Sequence, residues 1–252
     1  MQTVLSKKSI KDYIGDDIPV FVYDVIDSTN NEAKKMLREG LNTNAVLVAN
    51  EQSNGRGRQG KSFFSPAGTG LYMSVVLKSH SVCESLFITT AASVLISQAV
   101  AECTGVQLSI KWVNDLYMND KKVCGILTEA VRSTTGELLG IVVGVGINLS
   151  TQIFPDDLTG IATAIGANVD RNILCARIAH KLMTADISVK KDEYLAEYKN
   201  HSMVLNKDII YYINNTPHYG RAVDINDSGA LVVENDNERV ILDSGEITIR
   251  VK

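Results

Sequence analysis

Residues 111–130 read KWVNDLYMNDKKVCGILTEA. Asn119 and Asp120 lie between two strand-like pieces, which suits a tight turn, so the stretch reads as two strands of a hairpin. That folding places Asp115 and Lys122 on adjacent strands. Apolar and β-branched runs also stand at Val20 to Val25, Ala45 to Ala49, Leu71 to Leu77, Val123 to Val131 and Leu138 to Ile147. Several are almost continuously apolar, the pattern of strands covered on both faces. Helical spacing over Asn30 to Glu39 and Ser85 to Glu102 supplies the covers, and Ser28, Thr29 and Asn30 carry the short oxygen side chains that cap a helix start. A further helical segment extends from about Arg171 to Lys199.

From Leu205 onward the texture changes to short alternating runs broken at Asn214-Asn215, Asp227-Ser228-Gly229 and Asp236-Asn237. Turns at that spacing predict a small β-barrel, and the chain divides into residues 1–203 and 204–252. A chain of 252 residues with 45% hydrophobic composition is long enough to bury a core of this size. Its net charge of -4 gives no overall basic excess for nucleic-acid binding. Cys83, Cys103, Cys124 and Cys175 stand at neither zinc nor redox spacing, which fits reduced, buried thiols in a cytosolic protein. The N-terminus MQTVLSKKSIKDYIGDD has no apolar signal run. The stretch from Leu86 to Val100 is interrupted by Thr89, Thr90, Ser93, Ser97 and Gln98, and reads as a core helix too short and too polar for a bilayer.

Three segments carry chemistry. Gly55 to Lys61, GRGRQGK, holds three cations and no acid in an otherwise acidic chain. Glycine backbone and guanidinium forks suit a phosphate or adenylate, although taken alone the segment fits a solvated turn equally well. Gly55 through Ser62 also satisfies the spacing of a nucleotide P-loop, G-x-x-x-x-G-K-S. That motif needs a helix starting at its Lys-Ser, whereas here FFSPAGTG and a strand follow, so the match is set aside. In the hairpin, Lys111, Asn114, Asp115 and Lys122 stand among residues of a buried sheet, where charge is expensive unless paired or used. Lys122 fits a role beside an attacking carboxylate and a phosphate, and Asp115 one beside an acceptor amine; an ordinary salt bridge between them is the competing reading. Finally, Gly144, Gly146 and Asn148 close an apolar strand. Such glycines mark the close approach of a flat ligand or of another backbone, with Asn148 able to read an adenine edge, or else simple packing.

Taken together and in order, DSTN at 27–30, GRGRQG at 55–60, KWVND at 111–115, KKVCGIL at 121–127, GVGIN at 144–148 and SGEITIR at 244–250 resemble the biotin–protein ligase family. The resemblance implies an α+β fold, a mixed and mainly antiparallel sheet packed with helices in the class II synthetase-like manner, followed by a small SH3-like barrel. It implies an enzyme that activates biotin with ATP and Mg²⁺ to biotinyl-5′-AMP, then moves biotin to a lysine of a biotin carboxyl carrier protein. Ser28, Thr29, Asn30 and Gln52 would hold biotin with Arg56, Gly57, Arg58 and Lys122, helped by the backbone around Gly70 and Leu71. Arg56, Arg58, Lys61, Asn114 and Asn148 would hold ATP or the adenylate, and Lys122, Arg58 and Asp115 would be catalytic.

The family usually has proline where Val113 stands, and often tryptophan where Phe63 stands; neither change removes a charge. Only 26 residues precede Asp27, which points to a ligase-only type without an N-terminal DNA-binding domain. The expected partners are therefore small molecules and the carrier protein, with no nucleic acid and no membrane, for a cytoplasmic monomer or weak homodimer. The alternatives are a lipoate or octanoate ligase, whose pocket needs a long apolar tunnel, and a noncatalytic biotin-sensing regulator.

Overall fold

The computed structural model describes residues 3–78, 85–213, 216–235, 238–243 and 247–249. Strands β1 (Val20–Ile26), β2 (Ala45–Gln52), β3 (Gly70–Leu77), β4 (Ser109–Lys111), β5 (Asp115–Met118), β6 (Lys121–Arg132) and β7 (Leu138–Asn148) form one sheet in the order β1-β2-β3-β7-β6-β5-β4. Only β1 and β2 pair in parallel; every other pairing is antiparallel. The mixed, mainly antiparallel α+β reading holds.

The near-continuous apolarity of the central strands has its reason in cover on both faces. Helix α2 (Thr29–Arg38) lays Ala33 and Leu37 on Ala45, Leu47, Val76, Val131 and Val142. Alternate residues, among them Val46, Val48, Met73, Val143 and Val145, face the larger core with α3 (Ser85–Thr104) and α4 (Arg171–Thr184). Two of the hydroxyls that interrupt α3 are satisfied within it: Thr90 donates to Leu86 O at 3.1 Å and Ser93 to Thr89 O at 2.9 Å. The sequence reading of this segment as too short and too polar for a bilayer needs correction, because Leu86–Thr104 meets both criteria for a span. Burial, not composition, marks it as a core helix: 72% of it lies inside the protein.

The helical segment from Arg171 to Lys199 is two helices, α4 and α5 (Lys191–His201). Asp186 breaks it, its side chain accepting from Val189 N at 3.1 Å and so competing with the helical pattern. Helix α1 (Lys7–Ile14), which the sequence reading did not foresee, is capped by the Ser6 hydroxyl. The buried Arg171 guanidinium ties its approach down by donating to Thr3 O.

Strands β8 (Asp208–Ile213), β9 (Thr216–Ile225), β10 (Leu231–Glu234), β11 (Arg239–Leu242) and β12 (Ile247–Ile249) form a second, antiparallel sheet in the order β11-β10-β9-β8-β12. The foreseen turn at Asp227-Ser228-Gly229 is present, with Asn226 Oδ1 accepting from Ser228 N and Ala230 N and Gly229 at φ +86°. Asn214-Asn215, Asp236-Asn237, Cys83, and Ser244 to Glu246 with Arg250 of the SGEITIR segment lie outside the described residues. Ile209, Tyr211, Ile225 and Leu231 join the same core as α3 and α5. Trp112 Nε1 donates to Gly229 O at 3.0 Å, a direct bond from this sheet to the turn between β4 and β5.

Candidate active site

Asn119 and Asp120 both take positive φ, 51° and 59°, and turn β5 into β6. Asp115 then faces Gly125, Tyr117 faces Lys122, and the Lys122 ammonium reaches Asp115 Oδ1 at 2.7 Å. The backbone of Lys122 is gripped from outside the hairpin, its N–H donating to Ile161 O and its carbonyl accepting from Thr163 N, each at 2.9 Å. The ion pair foreseen as the ordinary reading thus exists, and it stands inside a cavity of about 740 Å³.

Three further elements converge on that cavity. Ser28 holds the N-cap position of α2 and is 1% exposed, yet its side chain makes no cap bond. Gln52, at the end of β2, accepts through Oε1 from Thr29 N at 2.9 Å and from Thr29 Oγ1 at 3.2 Å. The glycine-rich segment forms a tight loop: Phe63 N bonds Gly55 O at 2.8 Å, Gly57 N bonds Lys61 O at 2.7 Å, and a single 3₁₀ turn covers Arg58–Gly60. A Cβ at Gly55 would fall 2.4 Å from Phe63 O, so this loop closure requires glycine there. No α-helix begins at Lys61-Ser62, which agrees with setting the P-loop match aside.

The loop cations have definite neighbours. Arg58 Nη1 donates to Asn114 Oδ1 at 3.3 Å, and Asn114 Nδ2 donates to Ile126 O at 2.7 Å, which fixes the carboxamide. Arg56 Nη1 donates to Asn31 Oδ1 at 3.0 Å and pairs with Glu129 Oε1 at 3.2 Å. Burial pushes the Glu129 carboxyl up, but hydrogen bonds from Lys34 and Asn30 and the charges of Lys34 and Arg56 outweigh it and hold the group below its ordinary value. Tyr117 is pushed up to about 12 by burial, with Asp115 adding to the shift.

Ser28, Thr29, Asn30, Gln52, Arg56, Gly57, Arg58, Lys61, Asn114, Asp115 and Lys122 all line the cavity. Asn148 does not. It pairs with Gly70 at the end of β7, is 4% exposed, and gives its Nδ2 to Thr163 O at 3.3 Å, leaving Oδ1 buried without a partner among the described residues. Gly70 and Leu71 likewise stand away from the lining.

The glycines of β7 relieve packing, one of the readings foreseen from sequence, and Gly144 and Gly146 also line the cavity. A Cβ at Gly144 would meet Asn30 Oδ1 at 2.1 Å, and one at Gly146 would meet Phe63 Cε1 at 2.5 Å. The visitors are side chains, Asn30 and Phe63, seated on bare backbone. Sequence reading also missed Met73, Tyr117, Asp157, Leu158 and Ile161 on the cavity wall. Tyr117 carried a signal, its place opposite Lys122; the 157–161 segment carried none. The departure at Val113 is accommodated with the residue 1% exposed and the Trp112–Val113 peptide cis.

Comparison with known proteins places this geometry. The chain is 30% identical over 240 residues to the bifunctional ligase/repressor BirA of Salmonella typhimurium, covering 92% of this chain and 74% of that one. It is 25% identical over 232 residues to the biotin–[acetyl-CoA-carboxylase] ligase of Mycobacterium tuberculosis, covering 87% and 85%. The biotin protein ligase from Aquifex aeolicus, solved in complex with biotin and ATP, superposes with a TM-score of 0.76 at 24% identity, over 93% of this chain and 99% of that one, and so shares the fold. The profile of the biotin protein ligase C-terminal domain matches residues 212–250. That of the Biotin/lipoate A/B protein ligase family matches residues 22–148, which hold the hairpin, the glycine-rich loop and the start of α2, and the chain belongs to this family.

Proposed function

We propose that this chain is a biotin–protein ligase that condenses biotin with MgATP and passes the biotinyl group to a lysine of a carrier protein. The observation that carries the reading is one cavity lined by two chemically different sets of groups. Ser28, Thr29 and Gln52 offer polar atoms suited to a ring with several donors and acceptors. Lys122, Arg58 and Lys61 supply positive charge. A lipoate or octanoate tail would find no use for the polar set. Among the described residues no three acids, histidines or cysteines cluster as a metal site, and the magnesium enters as part of the nucleotide substrate.

In the first step a biotin carboxylate oxygen attacks the α-phosphorus of ATP, and the bond to pyrophosphate breaks. Two anions must meet, and the Lys122 ammonium, fixed by Asp115 and by its gripped backbone, offsets their repulsion and the charge that develops as they react. Arg58, oriented by Asn114, and Lys61 hold the phosphate side of the mixed anhydride, and the loop that carries them keeps water from it. The orphaned Asn148 Oδ1 is proposed to accept from the adenine amino group once the nucleotide opens a path to it. In the second step the neutral acceptor amine attacks the acyl carbon, AMP leaves, and Asp115 orients the amine or takes its proton.

The acceptor is proposed to be the carrier domain of a biotin-dependent carboxylase, and the compartment the cytoplasm. Residues 204–252, proposed as a separate domain, press on the site through Trp112. Incubation with labelled biotin, MgATP and a carrier domain, against matched reactions with lipoate and octanoate, tests the reading. Label should enter the carrier only from biotin. Transfer of lipoate or octanoate instead would overturn it.

A further inference from the structure

The turn between β4 and β5 is pinned by three different parts of the chain. The Trp112 indole donates to Gly229 O of the second sheet. Asn114 is tied to β6, its carbonyl accepting from Ile126 N at 3.0 Å and its Nδ2 donating to Ile126 O at 2.7 Å. Trp112, Asn114 and Asp115 line the cavity, whereas Val113 is 1% exposed and stands away from the lining. Its carbonyl belongs to α5: the Tyr198 hydroxyl donates to Val113 O at 3.2 Å.

Tyr198 is fully buried, and a hydroxyl at that depth is costly unless it is hydrogen-bonded. Burial pushes it far above its ordinary value, with Asp115 adding to the shift and Arg58 opposing it, so the phenol keeps its proton and stays a donor. Ser93 Oγ also approaches Val113 O, at 3.5 Å, but lies closer to Thr89 O, at 2.9 Å. Tyr198 is thus the nearer donor to this carbonyl. Val113 O and Asn114 N share one planar peptide group, so the bond from Tyr198 sets the plane from which the Asn114 side chain departs. Asn114 Oδ1 in turn accepts from Arg58 Nη1 at 3.3 Å.

We propose that Tyr198 is a positioning residue: through the Val113 carbonyl it sets Asn114, and through Asn114 it holds Arg58 to the phosphate side of the adenylate. Tyr198 has this task only if the chain is the ligase proposed above. The competing account is that the pairing of β5 with β6 suffices to place Asn114 and that the phenol only fills space.

Tyr198→Phe removes the hydroxyl and keeps the ring. Asn114→Ala removes the link to Arg58 and keeps every charge of the cavity, so activity falls without vanishing. The two are compared, singly and together, in the full chain, by biotin-dependent pyrophosphate exchange and by AMP released per carrier modified. Tyr198→Phe should lower kcat for exchange by about tenfold, as expected for one lost hydrogen bond, with KM for biotin within about twofold of wild type. AMP should exceed modified carrier, because the adenylate escapes. In the Asn114→Ala background the same substitution should cost at most about twofold more, since the link it acts through is already gone. Equal losses in both backgrounds are what a space-filling residue gives, and would overturn the proposal. So would wild-type kcat and AMP yield in Tyr198→Phe, or Asn114→Ala alone releasing no excess AMP. A wild-type protein that forms no adenylate from biotin overturns the ligase reading itself, and the role of Tyr198 with it.

Discussion

Replacing Lys122 with alanine separates the two readings of its ion pair. As a stabilising contact the pair is modest: the two side chains are 32% and 23% exposed, and pairs with this access to water contribute about 1 kcal/mol or less. In a chain of this size that loss lowers Tm by roughly 2–4 °C. As a catalytic cation the same ammonium has a larger task. At about 4 Å from a developing negative charge, with an effective dielectric constant of about 20, it contributes on the order of 4 kcal/mol. That corresponds to about a thousandfold in rate. Biotin-dependent exchange of labelled pyrophosphate into ATP isolates this step, because it needs no acceptor. Lys122→Ala should keep its fold by circular dichroism, lose only a few degrees of Tm, and lose exchange by about three orders of magnitude. Biotinyl-5′-AMP supplied ready-made should leave a smaller deficit, since the step that brings two anions together is bypassed. Exchange at close to the wild-type rate would refute the reasoning and return Lys122 and Asp115 to an ordinary hairpin salt bridge.

Other outcomes follow from the same geometry. Arg58→Ala removes the guanidinium held by Asn114 and should release biotinyl-adenylate into solution, seen as AMP produced in excess of carrier modified. Trp112→Phe keeps the ring but loses the 3.0 Å bond to Gly229 O, and should cost about 1 kcal/mol of stability and slow adenylation more than it slows transfer from supplied adenylate. Gly146→Ala puts a methyl 2.5 Å from the Phe63 ring and should destabilise the fold by about 1–3 kcal/mol, with Phe63→Leu in the same chain recovering part of the loss in a thermal melt. The Glu129 carboxyl is held below its ordinary value, so its contribution to stability is full above the unfolded carboxylate range and is lost as pH falls through the lowered value. Acid titration of Tm should therefore be less steep in Glu129→Gln than in wild type.

The features legible in the sequence were those whose cause is local. Asn119-Asp120 announced a hairpin because the turn's positive φ values select such residues, and with the hairpin came the pairing of Asp115 and Lys122. Central strands were readable because cover on both faces writes itself as unbroken apolarity. Where the cause is distant, the reading stopped. Gly144 and Gly146 advertised a close approach without naming the visitor, since Asn30 and Phe63 reach them only through the tertiary fold. Asn148 was aimed at the cavity by motif alone, while the final residue of β7 turns its carboxamide toward Thr163. Ser74 is the instructive case. A single hydroxyl inside GLYMSVVL reads as noise in an apolar strand, and Glu129 reads as a solvent-facing residue of LTEAV. Neither gains meaning until α2 is laid across β3, β6 and β7. Then Asn30 stands between them, its Nδ2 donating to Glu129 Oε2 at 3.0 Å and its Oδ1 accepting from the Ser74 hydroxyl at 2.6 Å, so that two residues far apart in sequence fix one side chain of the cavity wall.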